Sequence, residues 1–150
     1  MKNYILKTKT DNILVKVYDK TGYYQMVAHI GENKVGEVTF SIKRESFLRK
    51  AWLNKISVVE RYQNQGIGKA LLVCFEKFCL DYRVDIIDGK YFPENDIATH
   101  FYPNNGYSID KDGYETYIYK MLGEDTARQF RDICVEEFEQ KEDAEPELEH

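Results

Sequence analysis

The sequence has few of the features that mark membrane, secreted or metal-binding proteins. No run of residues approaches the eighteen or so apolar side chains that a membrane-spanning helix needs. The first residues, MKNYILKTKTDNIL, lack the apolar core and the small-residue cleavage site of a signal peptide. The three cysteines form neither a disulfide framework nor a metal-ligand spacing. We therefore expect a cytoplasmic protein with free thiols, no bound metal and no membrane contact.

Basic residues are too few for a nucleic-acid surface. The net charge is also distributed unevenly along the chain. The 150 residues carry a net charge of −5, but residues 136–150 hold eight acids against one base. That stretch carries −7, which leaves +2 for the rest of the chain. A mildly positive body suits a small anionic ligand rather than a nucleic acid. We interpret residues 141–150 as an acidic tail whose last letters, LEH, look like the start of a purification tag.

The chain does contain a first half typical of strands and a second half in which helices and strands alternate. β-branched and aromatic runs separated by short turn signals predict an antiparallel meander. After Gly66 an apolar face repeats at three and four residues and predicts a helix that ends near Tyr82. Pro103 and Gly106 are expected to stop a short helix that begins after Pro93. The predicted strands are 13–19, 23–30, 34–43, 51–59, 84–92 and 114–122, and an amphipathic helix is predicted over 124–140.

The segment RYQNQGIGKALL, residues 61–72, places two glycines at the start of the first predicted helix. A P-loop would need glycine in place of Gln63 and a hydroxyl residue in place of Ala70. A dinucleotide fingerprint would need glycine in place of Leu71. The pattern Gln/Arg-x-x-Gly-x-Gly/Ala is met, and it ends at Gly68. Glycines there let a diphosphate approach the unpartnered N–H groups of the first helical turn. The segment therefore predicts a diphosphate site, or else a glycine-rich helix start that only eases packing.

Three ordered motifs within residues 51–120 resemble the GCN5-related N-acetyltransferase (GNAT) superfamily. The segment ISV before the loop resembles the strand whose main chain holds the pantetheine arm, and DIIDGKYF resembles the next strand. Asn95 precedes Tyr102 by seven residues, and FYPNNGY resembles an aromatic-Tyr-x-x-x-Gly-aromatic element of the family. The resemblance implies an α/β (mixed α+β) fold with a central twisted, mostly antiparallel sheet. Its strands 4 and 5 would part, with helices on both faces and an extra C-terminal helix.

The resemblance also implies acetyl-CoA, or coenzyme A, as co-substrate and a set of residues that bind it. In the family, an asparagine at the position of Asn95 contacts the cofactor, and a tyrosine at Tyr102 faces the thioester sulfur. Residues 1–50 depart from the family, because they show no amphipathic helix to wall the acceptor site. The residues that the resemblance assigns to cofactor binding are Ile56, Ser57, Val58, Asn64, Gln65, Gly66, Ile67, Gly68, Lys69, Asn95 and Tyr102.

Acyl transfer to an amine needs a stabilised oxyanion, a protonated leaving thiolate and a neutral amine. Tyr102 is our candidate acid, because a phenol stays protonated at neutral pH and can protonate a thiolate; the alternative is a packed core tyrosine. The N–H of Val58 would polarise the carbonyl. Lys90 stands where some relatives place a glutamate base, and a charged lysine cannot accept a proton. The alternatives for the base are Glu37, Glu60, Asp85, Asp88 and a water chain, of which we take Glu60.

The sequence therefore predicts an N-acetyltransferase that acts on a small amine or on a protein or peptide amino group. We expect a GNAT-like domain over residues 1–122 and the helix of residues 123–140 packed on it or at a dimer contact. A rival hypothesis is a module that binds acyl-CoA without turnover and acts as a sensor or scaffold. A third hypothesis makes the acidic tail a protein-interaction adaptor. The chain is expected to be a monomer or a homodimer, the latter through Phe130, Cys134 and Phe138.

Overall fold

The computed structural model describes residues 1–139, which form nine strands and three α-helices. The expected acidic tail, residues 141–150, lies outside this range. The strands are β1 (Lys2–Lys7), β2 (Asn12–Lys20), β3 (Tyr23–Ile30), β4 (Asn33–Glu45), β5 (Leu48–Val58), β6 (Ile86–Tyr91), β7 (Ser108–Asp112), β8 (Glu115–Met121) and β9 (Cys134–Glu139). The helices are α1 (Ile67–Asp81), α2 (Asp96–Asn104) and α3 (Glu124–Ile133), and a 3-10 helix covers Glu60–Tyr62. Among these elements, no helix combines the length and apolar character that a membrane crossing requires.

The nine strands join one sheet in the order β7-β8-β6-β5-β4-β3-β2-β1-β9. Neighbouring strands are antiparallel except β5 and β6, which run parallel and are connected through α1. The structure thus confirms the predicted mixed fold with a mostly antiparallel central sheet. Pairing of β5 with β6 begins at Lys50 and Ile86 and ends at Leu53 and Gly89, whereas β5 itself continues to Val58. The parting of these two strands beyond Leu53 stays a prediction.

The hydrophobic core lies on the face of the sheet that α1 covers. Phe40 of β4 packs against Phe75 and Phe78 of α1, with ring centroids 4.7 Å and 5.6 Å apart. Tyr24 of β3 stacks on Phe40 at 5.4 Å. Each large buried side chain of this kind contributes about 1.5–3 kcal/mol to stability. The aromatic cluster therefore fixes α1 on the sheet, and with it the glycine-containing loop that precedes α1.

The C-terminal segment differs from the predicted helix of residues 124–140. The helix α3 ends at Ile133, and the next six residues form β9, which pairs antiparallel with β1. Val135 is β-branched and Phe138 is aromatic, and β1 offers this segment a row of unpaired backbone groups. The helical spacing of the apolar residues cannot reveal that partner, because β1 lies at the other end of the described chain.

Phe130 of α3 belongs to the core of the chain rather than to a surface. Its side chain is 2% exposed, and its ring stands edge-on to Tyr4 with centroids 5.6 Å apart. The Nζ of Lys77 lies 5.0 Å from the Phe130 ring centroid. Phe130 therefore cannot serve as a dimer contact unless the core opens. A homodimer through Cys134 and Phe138 stays a prediction.

Two strands and one turn also differ from the sequence-based expectation. The sequence patterns do not predict β1 or β7, and both strands are short. In the sheet, β1 lies next to the edge strand β9, and β7 is the edge strand at the other side. The polar stretch 44–50, expected to be a turn, is mostly strand, because β4 continues to Glu45 and β5 begins at Leu48. Ser46 adopts a φ of 54° between these strands, and the neighbouring Phe47 is fully exposed.

Candidate active site

The loop between β5 and α1 is held in place by two glutamine side chains. The Nε2 of Gln63 donates to the carbonyl of Val58 at 3.0 Å, which ties the loop to the end of β5. The Nε2 of Gln65 donates to the carbonyl of Arg61 at 3.3 Å, within the preceding 3-10 helix. Both glutamine side chains donate to carbonyl groups in these bonds, so neither occupies a backbone N–H group of the loop. The glutamines of the motif therefore shape the loop from within.

The start of α1 presents backbone N–H groups that the helix itself does not use. The N-cap Gly66 has a φ of +84° and Asn64 a φ of 64°, so the chain turns through left-handed conformations just before the helix. No side chain caps the start of α1 by a hydrogen bond. The N–H of Ala70 donates to the carbonyl of Gly66 at 3.1 Å. The N–H groups of residues 67–69 precede that first helical bond and are available to an anion. A Cβ at Gly66 would meet no atom within 4 Å, so glycine is needed there for its conformation.

The second glycine of the motif lies where α1 meets β5 and α2. A Cβ added at Gly68 would lie 3.6 Å from the ring of Phe101 and 3.6 Å from Cγ2 of Val58. These are ordinary van der Waals distances, so the folded chain itself does not require glycine at this position. The contact shows that the loop and the helix that carries Tyr102 lie side by side. The structure thus brings these two predicted site segments together.

Tyr102 of α2 is buried among aromatic rings. The side chain is 8% exposed, and its ring centroid lies 5.9 Å from that of Tyr91 and 5.6 Å from that of Tyr107. Burial, with a smaller contribution from Tyr91, raises the pKa of the Tyr102 phenol to about 12. The phenol therefore stays protonated throughout the neutral range, as a proton donor requires.

Asn95 has a structural task that the sequence motif does not reveal. It is the N-cap of α2, and its Oδ1 accepts a hydrogen bond from the N–H of Ala98 at 3.0 Å. An asparagine cap of this kind stabilises a helix by roughly 1 kcal/mol. The cap fixes the start of the helix on which Tyr102 lies about two turns later. A contact of Asn95 with the cofactor stays a prediction.

The acids proposed as the base occupy different environments. Glu37 accepts from Nζ of Lys34 at 2.6 Å and pairs with Nζ of Lys55 at 2.7 Å. The hydrogen bond from Lys34, and then that from Lys55, lowers the pKa of Glu37 to about 2, so this carboxylate is a poor proton acceptor. Asp85 accepts from the backbone N–H of Arg49 at 2.9 Å, which indicates a structural role.

Two candidates for the base remain, Asp88 near the end of the β5–β6 pairing and Glu60 beside the loop. Lys90, which stands at the position of the glutamate base in some relatives, lies on β6. Asp88 lies 3.7 Å from Nζ of Lys50, and its partner across the strands is Trp52, one pair before pairing ends. Lys90 is exposed and forms a salt bridge with Glu115 at 2.6 Å. Glu60 is exposed at the start of the 3-10 helix, and its role as base stays a prediction. Within residues 1–139, no group of three or more His, Cys, Asp or Glu side chains could hold a metal ion.

The end of β5 contains the predicted pantetheine-binding residues and an irregularity that the sequence does not reveal. Ile56, Ser57 and Val58 lie beyond the last residue that pairs with β6, and they pair with β4 instead. The β4–β5 register shifts so that Thr39 faces Lys55 and Phe40 faces Leu53, which leaves Asn54 as the extra residue. Bulges of this kind free backbone groups and redirect side chains, and they recur beside active sites. The oxyanion role of the Val58 N–H stays a prediction.

A buried charged network joins α1 to the segment that follows Tyr102. Glu76 of α1 is 1% exposed, accepts from the hydroxyl of Tyr107 at 2.7 Å and pairs with Nζ of Lys120 at 3.0 Å. The same Nζ donates to the carbonyl of Asn105 at 3.0 Å. Burial raises the pKa of Glu76, although Lys120 and Tyr107 act against this. The sequence-based interpretation missed this network, and a glutamate inside the apolar run LLVCFEKFC was the signal that could have shown it.

Comparison with known proteins agrees with this geometry. A family model described as acetyltransferase (GNAT) domain matches residues 13–109. Among curated proteins, no significant match was found.

Solved structures share the fold at low sequence identity. One is PaiA N-acetyltransferase from Thermoplasma acidophilum in complex with coenzyme A, with 22% identity and a TM-score of 0.61 over 67% of this chain and 62% of that one. A GNAT family acetyltransferase from Elizabethkingia anophelis with acetyl-CoA bound has 15% identity and a TM-score of 0.65, over 75% and 100% of the two chains. Naa50 from Arabidopsis thaliana, in complex with the bisubstrate analogue CoA-Ac-MVNAL, has 20% identity and a TM-score of 0.58, over 65% and 72%.

At these identities the likeness shows the fold alone, and the chain spans less than two thirds of the length of PaiA. The family model, in contrast, covers well over half of the chain, from the second strand to the strand after the candidate acid. The protein therefore belongs to the acetyltransferase (GNAT) family.

Proposed function

We propose that the protein transfers an acetyl group from acetyl-CoA to a primary amine by direct attack of the amine on the thioester. The observation that carries this proposal is the start of α1, where Gly66 at a φ of +84° begins a helix that no side chain caps, beside the helix of Tyr102. The family of the chain supports the same reaction. Two structural neighbours were solved with coenzyme A or acetyl-CoA bound, which supports acetyl-CoA as the co-substrate here.

The N–H groups of residues 64–69 are proposed to bind the diphosphate of the cofactor. Each contact between a phosphate and the helix N-terminus contributes about 0.3–1 kcal/mol when exposed and up to about 2 kcal/mol when partly buried. Several such contacts hold two phosphates without a metal ion. From there the pantetheine arm would follow the end of β5 past Ile56, Ser57 and Val58, toward Tyr102.

The reaction then requires one bond to form and one to break. The amine nitrogen attacks the thioester carbon, the carbon–sulfur bond breaks, and the sulfur leaves as a thiolate. Tyr102 would give its proton to the sulfur as the carbon–sulfur bond breaks. This transfer is uphill, because the phenol pKa of about 12 lies above the ~8.5 of a thiol, so the tyrosinate must then regain a proton from solvent. The proton that the amine loses would pass to Glu60 or to water. A donor with a pKa of about 12 is protonated at every pH at which the amine is reactive.

The acceptor is proposed to be a small amine or a peptide amino group that approaches from the face of the sheet opposite α1. Side chains alternate along strands, so Trp52 and Asp88 point away from the core that Leu53 and Ile87 enter. Trp52, Asp88 and Lys50 line a cavity of about 300 Å³ at the last paired residues of β5 and β6. The bisubstrate analogue in Naa50 contains a peptide, which supports an amino-group acceptor.

One observation favours a second candidate function, a module that binds acyl-CoA without turnover. Lys90 occupies the position of the glutamate base and is engaged with Glu115. Glu37, a buried acid on β4, has its pKa lowered to about 2 by Lys34 and Lys55. A base is dispensable where the acceptor amine is already neutral, so these facts do not decide against catalysis.

Replacement of Tyr102 by phenylalanine tests both candidates. We expect kcat to fall by about a hundredfold or more, because general acid catalysis contributes roughly 10²–10⁴. The KM for acetyl-CoA is expected to stay within about twofold, since the hydroxyl acts on the leaving sulfur. The measurement is release of free thiol from acetyl-CoA across a panel of small amines and short peptides. Between about pH 7 and about pH 10, the wild-type rate should not fall through loss of the phenol proton, given its raised pKa.

Tyr24→Phe is the matched control, because Tyr24 also stacks on a core ring but lies on β3, away from the loop. It should retain wild-type kinetics. Equal activity of Tyr102→Phe and wild type would remove the acid role. Tight binding of coenzyme A with no thiol release from any amine would favour the silent module.

A further inference from the structure

The C-terminal end of α2 joins the residues that follow it to Tyr102. The N–H of Tyr107 donates to the carbonyl of Tyr102 at 3.0 Å, and the N–H of Gly106 donates to the carbonyl of Pro103 at 3.1 Å. These two bonds form a Schellman motif, which needs a left-handed residue between them, and Gly106 has a φ of +88°. A shift of Tyr107 therefore also shifts the backbone of Tyr102.

The ring of Tyr107 makes a second contact with Tyr102. The two ring centroids lie 5.6 Å apart, with an angle of 64° between the ring planes. The centroid of Phe101 lies 5.4 Å from that of Tyr102, and the centroid of Tyr91 lies 5.9 Å from it. The Tyr107 side chain is buried, so it has little room to move without moving its neighbours. The place of the Tyr102 phenol thus depends on where Tyr107 is held.

Glu76 of α1 holds this segment at two points, one through each carboxylate oxygen. Its Oε2 accepts from the hydroxyl of Tyr107 at 2.7 Å, and its Oε1 pairs with Nζ of Lys120 at 3.0 Å. That Nζ also donates to the carbonyl of Asn105 at 3.0 Å and lies 5.3 Å from the centroid of the Tyr107 ring. Since the aromatic core fixes α1 on the sheet, Glu76 connects the end of α2 to a rigid element.

A buried carboxylate is a costly way to join two helices if stability is the only gain. The side chain of Glu76 is 1% exposed and that of Lys120 is 12% exposed. Apolar residues of similar volume often stabilise a fold as well as a buried ion pair does. Hydrogen bonds differ from apolar contacts because they fix both the distance and the angle between partners. Supporting bonds of this kind hold a reacting group in its productive geometry.

We infer that Glu76 is a positioning residue for the proton transfer from Tyr102. It acts through Tyr107 and Lys120, which hold the ring and the main chain that set the place of the Tyr102 hydroxyl. This inference rests on the proposed function, because it needs Tyr102 to act on the leaving sulfur. Misplacement of a reacting group by about 1 Å can cost roughly a hundredfold in rate. Glu76 therefore affects kcat and leaves the binding of acetyl-CoA unchanged.

The test is a double-mutant cycle that combines Glu76→Gln with Tyr102→Phe. The rate measured is thiol release from acetyl-CoA with the amine of the panel that reacts fastest. In the wild-type background, Glu76→Gln should lower kcat by about tenfold or more and change the KM for acetyl-CoA by less than about twofold. In the Tyr102→Phe background, the same change should alter kcat by less than about twofold, because the hydroxyl that it positions is already absent.

Two further variants separate positioning from loss of the fold, with the folded fraction of each taken from urea unfolding. Tyr107→Phe keeps the ring against Tyr102 and removes only the bond to Glu76, so it should lower kcat less than Glu76→Gln does, with the same dependence on the Tyr102 hydroxyl. It decides the question if Glu76→Gln does not fold. Phe130→Leu is the control for lost stability, because its ring packs against Tyr4 on β1. It should unfold at lower urea and keep the wild-type kcat.

The inference and the proposed function can fail separately in this experiment. Glu76→Gln with the kcat of wild type, or with the same fractional loss in both backgrounds, would overturn the inference and leave the acid role of Tyr102 in place. A kcat that falls in Phe130→Leu as it does in Glu76→Gln would also overturn the inference, since loss of stability would then explain both. Equal activity of Tyr102→Phe and wild type would overturn the acid role and the inference together.

Discussion

The variant Gly66→Glu is expected to lose measurable binding of coenzyme A while the chain stays folded. The glutamate side chain enters open space, since no atom lies within 4 Å of a Cβ at this position, but it carries a carboxylate to the donors that we propose bind the diphosphate. Loss of two charge-assisted hydrogen bonds of about 1.5–3 kcal/mol each lowers affinity by at least about a hundredfold. Isothermal titration calorimetry with coenzyme A measures the effect, and circular dichroism checks the fold.

The control must separate the effect of the added carboxylate on binding from the effect of backbone strain. Strain is expected because Gly66 has a φ of +84° that other residues rarely adopt. Gly22 has a φ of +90° and equally open surroundings, but it lies in the turn between β2 and β3. Gly22→Glu should therefore lose a similar amount of stability, about 1–2 kcal/mol, and bind coenzyme A like wild type. An affinity of Gly66→Glu within about threefold of wild type would contradict the placement of the diphosphate at α1.

The second large effect is expected on stability, in the variant Lys120→Met. Lys120 is the cationic partner of Glu76, whose side chain is 1% exposed, and its removal leaves a buried carboxylate with only Tyr107 as donor. Breaking a buried ion pair on one side costs about 3–5 kcal/mol, a large share of the 5–15 kcal/mol that holds a domain folded. Urea unfolding followed by tryptophan fluorescence measures the change. Adding Glu76→Gln should recover part of the loss, because the amide oxygen still accepts from Tyr107 and carries no charge.

The dependence on pH distinguishes a charge effect from a packing effect. Burial raises the pKa of Glu76 in wild type although Lys120 acts against this, so without Lys120 the folded chain binds a proton at Glu76 still more readily than the unfolded chain does. The unfolding free energy of Lys120→Met should therefore rise relative to wild type as the pH falls from about 8 to about 5. Lys90→Met is the control, because Lys90 and Glu115 form a salt bridge between exposed side chains. It should unfold like wild type, and a pH-independent loss in Lys120→Met would show that packing rather than charge is responsible.

Much of the fold follows from local patterns, and the exceptions have a common cause. β2, β3, β4, β6, β8 and α1 are visible in the sequence because alternation, apolar spacing and turn residues all act within a few positions. The segment Cys134–Glu139 is different, since its strand exists only because β1 presents an open edge. The spacing of Phe130 and Cys134 suits a helix, and no local pattern shows that Cys134 pairs with Leu6. The pairing with β1 makes this segment a strand, although the spacing of its apolar residues suits a helix.

The candidate site divides in the same way. The loop before α1 could be predicted, because a chain that turns through φ > 0 before a helix needs glycine, and Gly66 is spaced from Gln63 in a recognisable way. The buried network could not, since a glutamate in a helix is usually exposed. Its partners lie 31 and 44 residues away from Glu76 along the chain, at Tyr107 and Lys120. Sequence reasoning located the glycine-containing loop from local rules and missed side chains whose roles depend on distant neighbours.

The pairing of β1 with β9 bears on how the protein is made by the ribosome. Lys2 lies opposite Glu139, so β1 leaves the ribosome long before β9 and its second edge stays uncovered until β9 follows. In the meantime β1 can pair only with β2, and α3 cannot yet place Phe130 against Tyr4. Contacts between residues this far apart in the sequence form late in folding. The entropy cost of closing a long loop must be met before these contacts can stabilise the chain. Until α3 and β9 follow, the nascent chain therefore exposes a strand edge and an aromatic core residue together, which raises its risk of aggregation.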